Sequence, residues 1–213
     1  MTARPPLTRS RVAAAALEYV DAHGLAALSM RKLGGELGVE AMSLYNHVTN
    51  KDDLLDAVGD LLYREVLALF VPAPDATWQD DARSMVGAVR AVALRHPEAL
   101  DLLIGRGPPT SIRFEFLAAC YRIFTKAGFG TKDAGLAFDV ASSWISGVLT
   151  QELGLMASME ALGWEISVDS VDDPTADAVA EFAAACGAWS AEQRFSFGLE
   201  TLIAGLEQQL AMR

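Results

Sequence analysis

Residues 29–51, SMRKLGGELGVEAMSLYNHVTNK, read as two short helices joined by a tight turn. Ser29 is a good N-cap for a helix that carries Leu33 and Leu37 four residues apart, and Gly38 is placed to end it. Val39 plugs the turn. The second helix holds Leu44 and Val48 for a core and presents Ser43, Tyr45, Asn46 and His47, with Lys51 at the head of the next helix. Two short helices with polar and aromatic groups crowded onto the second have the layout of a helix-turn-helix, whose second helix enters the DNA major groove. The side chains suit that partner: hydroxyls and a cation for phosphate oxygens, an amide that pairs with adenine, a ring for thymine methyls. A blander reading stands beside it. Leu44 and Val48 are core on any account, and Tyr45 alone can cover a helix junction, so a short polar helix is not by itself a DNA reader.

The composition points to an all-helical protein. The chain has 213 residues, 52% of them hydrophobic, in Ala- and Leu-rich runs with little β-branched alternation. That length can bury a real core. No apolar run reaches the ~20 residues of a membrane helix, since VLALFVPA is stopped by Pro72 and Pro74. MTARPPLTRS has no apolar core behind its arginines and does not read as a secretory signal. Cys120 and Cys186 make no disulfide framework, which suits a cytoplasmic location.

The net charge of −11 at first argues against nucleic acid. The distribution of that charge matters more than its sum. Arg4, Arg9, Arg11, Arg31, Lys32 and Lys51 face only Glu18, Asp21, Glu36 and Glu40 within residues 1–51, a net of +2 by count. Charges more than about 10 Å apart are largely screened, so a basic end can meet phosphates while an acidic body limits non-specific sticking. Charge therefore permits DNA binding without establishing it.

Along the chain, a first helix from about Thr8 to His23 is capped by Thr8 or Ser10 and stopped by Gly24. Asn50 with Asp53 starts a long helix bearing Leu54, Leu55, Val58, Leu61, Leu62 and Val66. Residues 1–50 thus form a three-helix helix-turn-helix domain, and residues 51–213 a second helical domain entered through a connecting helix at 51–71. In the second domain, helices open at Thr77, follow Pro97, cover SIRFEFLAACYRIF and open again at Thr131. Residues 158–175 are acidic and read as a surface loop, 176–189 as an Ala-rich helix, and Ser190 with Gln193 caps the last helix.

The stretch AALEYVDAHGLAALSMRKLGGELGVEAMSLYNHVTNKDDLLDAV, within residues 9–62, resembles the tetracycline-repressor (TetR) family of bacterial transcriptional regulators. It has the family's Gly after the first helix, a Ser-then-Arg start to the second, L-G-V in the turn, and an L-Y-x-H-V-x-N-K recognition segment followed by L-L-D-A. The resemblance implies an Ω-shaped homodimer whose helical C-terminal domain binds a small effector, usually releasing double-stranded, pseudo-palindromic operator DNA. It assigns Tyr45, His47 and Lys51 to phosphates, places Ser29 near the backbone, and brings Arg31 and Ser43 to base edges or phosphates. Ala41 and Met42 stand where relatives contact bases, which implies thymine-methyl readout or little readout; Asn46 stands where relatives often have an aromatic.

TWQDDAR…VRAVALRH and FSFGLETLIAGLEQQL resemble the C-terminal domain of the tetracycline repressors themselves. Those proteins use His and Asn side chains toward a drug–magnesium chelate. Here Met85, Leu102 and Leu103 occupy the corresponding helices, which points away from tetracycline and magnesium and toward an apolar or aromatic effector. Expected pocket walls are Trp78, Met85, Val89, Leu103, Phe114, Leu117, Tyr121, Phe138, Ser142, Ile145 and Leu149, with Trp144 and Glu152 as polar contacts. Such side chains also serve as plain core. The helices at 131–157 and 190–211 are the dimer candidates. Gly147 and Gly154 permit close approach on the first, and Leu199, Leu202, Ile203 and Leu206 cover a wide arc on the second.

No catalytic, metal or cofactor site is expected. His23, His47 and His96 are scattered without an acid or Cys at triad or metal spacing, and Asp52-Asp53 and Asp172-Asp173 read as a helix start and a loop. The function expected is a ligand-responsive repressor. The alternatives are a helical small-molecule-binding protein with a vestigial DNA-binding head, or an activator.

Overall fold

The structure, a computed structural model, describes residues 6–105, 110–155 and 175–212. The chain is all-helical, with no strand among the described residues. The loop expected at 158–175 lies outside them except for Thr175. None of the described helices is long and apolar enough to cross a membrane. The chain divides into two compact units, Met1–Ala134 and Gly135–Arg213.

In the first unit, α1 is Arg9–His23, α2 Met30–Leu37, α3 Ala41–Leu44, α4 Lys51–Leu69, α5 Trp78–Arg95, α6 Leu100–Ile104 and α7 Ser111–Ala127. Short polar side chains start most of them. Thr8, Ser29, Asn50 and Thr110 each accept a hydrogen bond from the backbone N–H three residues on, and Thr77 with Asp80 forms a reciprocal capping box. Each such cap stabilises its helix by about 1 kcal/mol. Gly38 ends α2 at φ 60°, ψ 41°, and its N–H bonds back to the Gly34 and Gly35 carbonyls. A Cβ in that left-handed conformation costs about 1 kcal/mol, so glycine is what lets the chain turn directly into α3.

α4 is the spine of this unit. Leu54, Val58, Leu62 and Val66 recur every four residues and have no solvent exposure. Around them pack α1, α5, α6 and α7. Neighbouring helices bury Val12, Ala16 and Val20 from α1, Met85, Val89 and Val92 from α5, and Ile112, Ala119 and Ile123 from α7. Burying each large aliphatic side chain of the α4 stripe stabilises the fold by roughly 1.5–3 kcal/mol.

Polar ties fix how α4 meets its neighbours. The Tyr63 hydroxyl donates to the Leu103 carbonyl at 2.9 Å, and the Thr110 hydroxyl donates to Asp60 Oδ1 at 2.7 Å. Arg113 of α7 is buried, with Nε 3.7 Å from Asp60 Oδ1 and its guanidinium 5.1 Å from the Tyr63 ring centre. Gly59 makes room for it, since a Cβ there would lie 2.7 Å from Arg113 Nη2. His96, just after α5, places Nδ1 2.8 Å from Asp21 of α1 and Nε2 3.4 Å from Glu65 of α4, and Arg95 also pairs with Glu65. Lys126 of α7 meets the buried Asp81 of α5 at 2.6 Å.

α8, Thr131–Thr150, begins in the first unit and continues into the second, ending in a wide turn, Gln151–Leu155, where Gly154 takes φ 119°. α9 is Ala176–Gly187 and α10 is Ala191–Ala211, which opens on a Ser190–Gln193 capping box. Phe195, Leu199 and Ile203 form the buried stripe of α10, and Trp144 of α8 lies 5.7 Å from the Phe195 ring and against Gly198. Ile145 and Leu149 are buried on α8.

The Asp60–Arg113 pair gives a direct test of this packing. Asp60→Ala leaves a buried guanidinium without its carboxylate, which typically costs roughly 3–5 kcal/mol. About 2 kcal/mol is expected, because the Asp60 side chain is 24% exposed and the buried Arg113 Nε, 3.7 Å away, makes no hydrogen bond to it. A fall in the urea midpoint with an unchanged slope checks it; an unchanged midpoint would show that the pair does not hold α4 against α7.

Candidate nucleic-acid interface and effector residues

α3 is only one turn long, and its chain continues through turns to Val48. Leu44 and Val48 point inward, at 0% and 2% exposure, and hold the segment on the core. That pins the other side outward. Met42 is 71% exposed and Tyr45 43%; Asn46 is exposed, while Ala41, Ser43 and His47 are half-buried. Arg31 in the first turn of α2 and Lys51 at the first position of α4 are exposed, and half-buried Ser29 is engaged as the α2 cap. A one-turn helix and the turn after it, carrying an outward methionine, phenol and amide between two outward cations, can meet a duplex through contacts to both bases and phosphates.

The end of this segment is tied to α1. Arg9 Nη1 donates to Asp53 Oδ2 at 2.9 Å and to the His47 carbonyl at 3.3 Å. Its Nη2 donates to Asp53 Oδ1 at 2.5 Å and to the Asp53 carbonyl at 3.2 Å. Asp53 also accepts from the Thr49 N–H at 2.7 Å and the Thr49 hydroxyl at 3.1 Å. With the Arg9 guanidinium beside it and Thr49 donating, the Asp53 carboxyl is held well below the usual carboxylate range. In the sequence Arg9 reads only as part of a basic end. Its partner is 44 residues away, and nothing local announces such a pair.

The effector candidates fall in two sets. In the first unit Met85, Val89 and Leu103 are buried and Trp78 is half-buried, whereas Phe114, Leu117 and Tyr121 lie on an exposed face of α7. The Tyr121 hydroxyl lies 3.1 Å from Thr131 Oγ1. In the second unit Ile145 and Leu149 are buried, and Phe138, Ser142, Trp144 and Glu152 are half-buried. Of the dimer candidates, Leu199 and Ile203 are buried within the single chain, Leu202, Leu206 and Gly154 are half-buried, and Gly147 is exposed. The outward face of α10 carries Phe197, Thr201, Ala204 and Gly205, and that of α8 carries Leu136, Val140 and Gly147. Burial pushes the Cys120 thiol up to about 12, so it is not a nucleophile at neutral pH. No group of three or more His, Cys, Asp or Glu residues placed to hold a metal occurs among the described residues.

Comparison with known proteins covers almost the whole chain. Residues 12–58 match the bacterial regulatory proteins of the tetR family, and residues 71–210 match the tetracyclin repressor-like C-terminal domain. An HTH-type transcriptional regulator of Saccharopolyspora erythraea is 33% identical over 211 residues, 95% of this chain and 86% of the relative. The class D tetracycline repressor protein of Escherichia coli is 28% identical, over 96% of this chain and 91% of that protein. Among solved structures, the Streptomyces coelicolor protein ActR in complex with actinorhodin superposes with a TM-score of 0.81 at 28% identity, covering 95% of this chain and 96% of that one.

The Asp53 carboxyl predicts a pH dependence with a definite sign. Its folded value lies below its unfolded value, so its contribution to stability is present at neutral pH and is lost as pH falls through the carboxylate range. The Asp53→Asn variant should therefore lose less stability than wild type between ~pH 5 and ~pH 2 in chemical unfolding. Parallel acid limbs for the two proteins would contradict the ion pair.

Proposed function

The chain is a member of the tetR family of bacterial regulatory proteins, and from that premise we propose that it is a ligand-responsive repressor, released from its operator by a small, largely apolar or aromatic effector. The observation that carries the DNA-binding part is the segment at 41–47, anchored by Leu44 and Val48 and turned outward at Met42, Tyr45 and Asn46. Residues 1–50 serve as the DNA-binding domain and 51–213 as the effector-binding and dimerisation domain. Tyr45, His47 and Lys51 take phosphates, with Ser29 near the backbone. Arg31, Ser43, Ala41, Met42 and Asn46 face the major groove.

On the effector side, the complex of ActR with actinorhodin supports a ligand-binding C-terminal domain. Met85, Leu102 and Leu103, in place of polar ligands for a chelate, support an apolar or aromatic effector. The proposed contacts are Trp78, Met85, Val89, Leu103, Phe114, Leu117 and Tyr121 in the first unit, and Phe138, Ser142, Trp144, Ile145, Leu149 and Glu152 in the second. The protein acts as a cytoplasmic homodimer through α8 and α10, without enzymatic activity. Two copies related by a twofold axis present their reading helices to half-sites roughly 34–36 Å apart. A ligand that favours one tilt of α4 changes that separation, and a coupling of ~1–3 kcal/mol is about a 5–150-fold change in DNA affinity.

Two measurements test this reading. Lys51→Ala is expected to weaken binding to all duplex sequences alike and to lower the salt slope by ~1. Loss confined to one base substitution would assign Lys51 a different role. An effector found by thermal-shift screening should lower affinity for a duplex selected by the protein about 5–150-fold. A ligand that binds tightly and leaves DNA affinity untouched is not the inducer.

A further inference from the structure

Arg9 stands at the first position of α1, and by sequence, between Arg4 and Arg11 along the chain, it reads as a cation for phosphate. In the structure its guanidinium is already engaged. It donates to both oxygens of the Asp53 carboxylate, to the Asp53 carbonyl and to the His47 carbonyl. These acceptors bracket the link between the reading segment and α4, the link that carries His47 and Lys51. Asp53 is further held by Thr49, and its own N–H bonds Asn50 Oδ1 at 2.8 Å. The α1 helix that carries Arg9 is itself fixed by Val12, Ala16 and Val20, none of which is exposed.

We propose that Arg9 is a positioning residue for DNA recognition, a strut between α1 and the 47–53 link, and not itself a phosphate contact. The inference rests on the DNA-binding reading above. Three physical considerations support it. Reaching a phosphate would break four hydrogen bonds and leave the Asp53 carboxylate without its cation. Solvent screening at the Arg9 side chain, 47% exposed, limits what the pair adds to global stability at neutral pH to a modest part of the whole. What it does fix is orientation, because a planar guanidinium can hold two carboxylate oxygens and two carbonyls at once, which an ammonium point charge does not. Arg9 and Asp53 together also add no net charge to the head, so electrostatic attraction for DNA falls to the other cations.

The test uses the full chain, a duplex selected by the wild-type protein from a randomised pool, and affinities corrected for the fraction of active protein. These are measured across salt concentrations, with thermal unfolding alongside. Arg9→Ala and Arg9→Lys should each lose about tenfold in affinity, the order expected for residues coupled through one network. The slope of log affinity against log salt should remain that of wild type. Asp53→Ala should weaken binding comparably, although it removes a negative charge near the DNA. The Arg9→Ala/Asp53→Ala double variant should be no weaker than either single one. The proposal is overturned if Arg9→Lys binds as wild type while Arg9→Ala lowers the slope by about 0.9, which is the signature of a phosphate contact. It is also overturned if Asp53→Ala tightens binding, or if every loss is accounted for by a smaller folded fraction. Failure of the wild-type protein to retain any duplex would overturn the DNA-binding reading itself, an outcome distinct from these.

Discussion

The buried stripe of α4 is the constraint on which the first unit depends. Leu54, Val58, Leu62 and Val66 are each fully enclosed, and the helices packed on α4 are α1 of the reading head together with α5, α6 and α7. A helix with one shared hydrophobic face cannot shift against one set of neighbours without being felt by the other, because packed interiors move between discrete arrangements. The polar ties add direction to that packing. His96 joins α1 to α4, and Tyr63, Asp60 and Arg113 join α4 to α6 and α7. In the proposed function, these links are where a shift of α4 would be transmitted between its neighbours.

Much of the fold was legible in the sequence because its signals are local. Thr8, Ser29, Asn50, Thr77 and Ser190 cap the helices they were expected to cap, and Gly24 and Gly38 end theirs. The periodic apolar residues of α4 and α10 mark buried faces. Pairs distant in sequence were not legible. Arg9 with Asp53, His96 with Asp21 and Glu65, Arg113 with Asp60, and Lys126 with Asp81 are set by tertiary packing, and a charged side chain on a helix looks the same whether it ends in solvent or in a buried pair.

The two faces of α10 show a second limit. Leu199, Leu202, Ile203 and Leu206 span a wide arc, and periodicity does not separate a face that closes its own subunit from one that meets a partner. In the structure Leu199 and Ile203 are buried within the chain, and the outward face holds Phe197, Thr201, Ala204 and Gly205. The candidate reading segment was more legible, because burying Leu44 at the end of a one-turn helix and Val48 just beyond it leaves little choice about which side faces out.

In the proposed function, the 41–47 segment reads DNA from a platform set by α1 and α4. The most direct test is the crystal structure of the dimer on its selected duplex. Met42 and Asn46 are expected to enter the major groove, with Tyr45, His47 and Lys51 against flanking phosphates. DNA seated on another surface, with the 41–47 segment left in solvent, would contradict it.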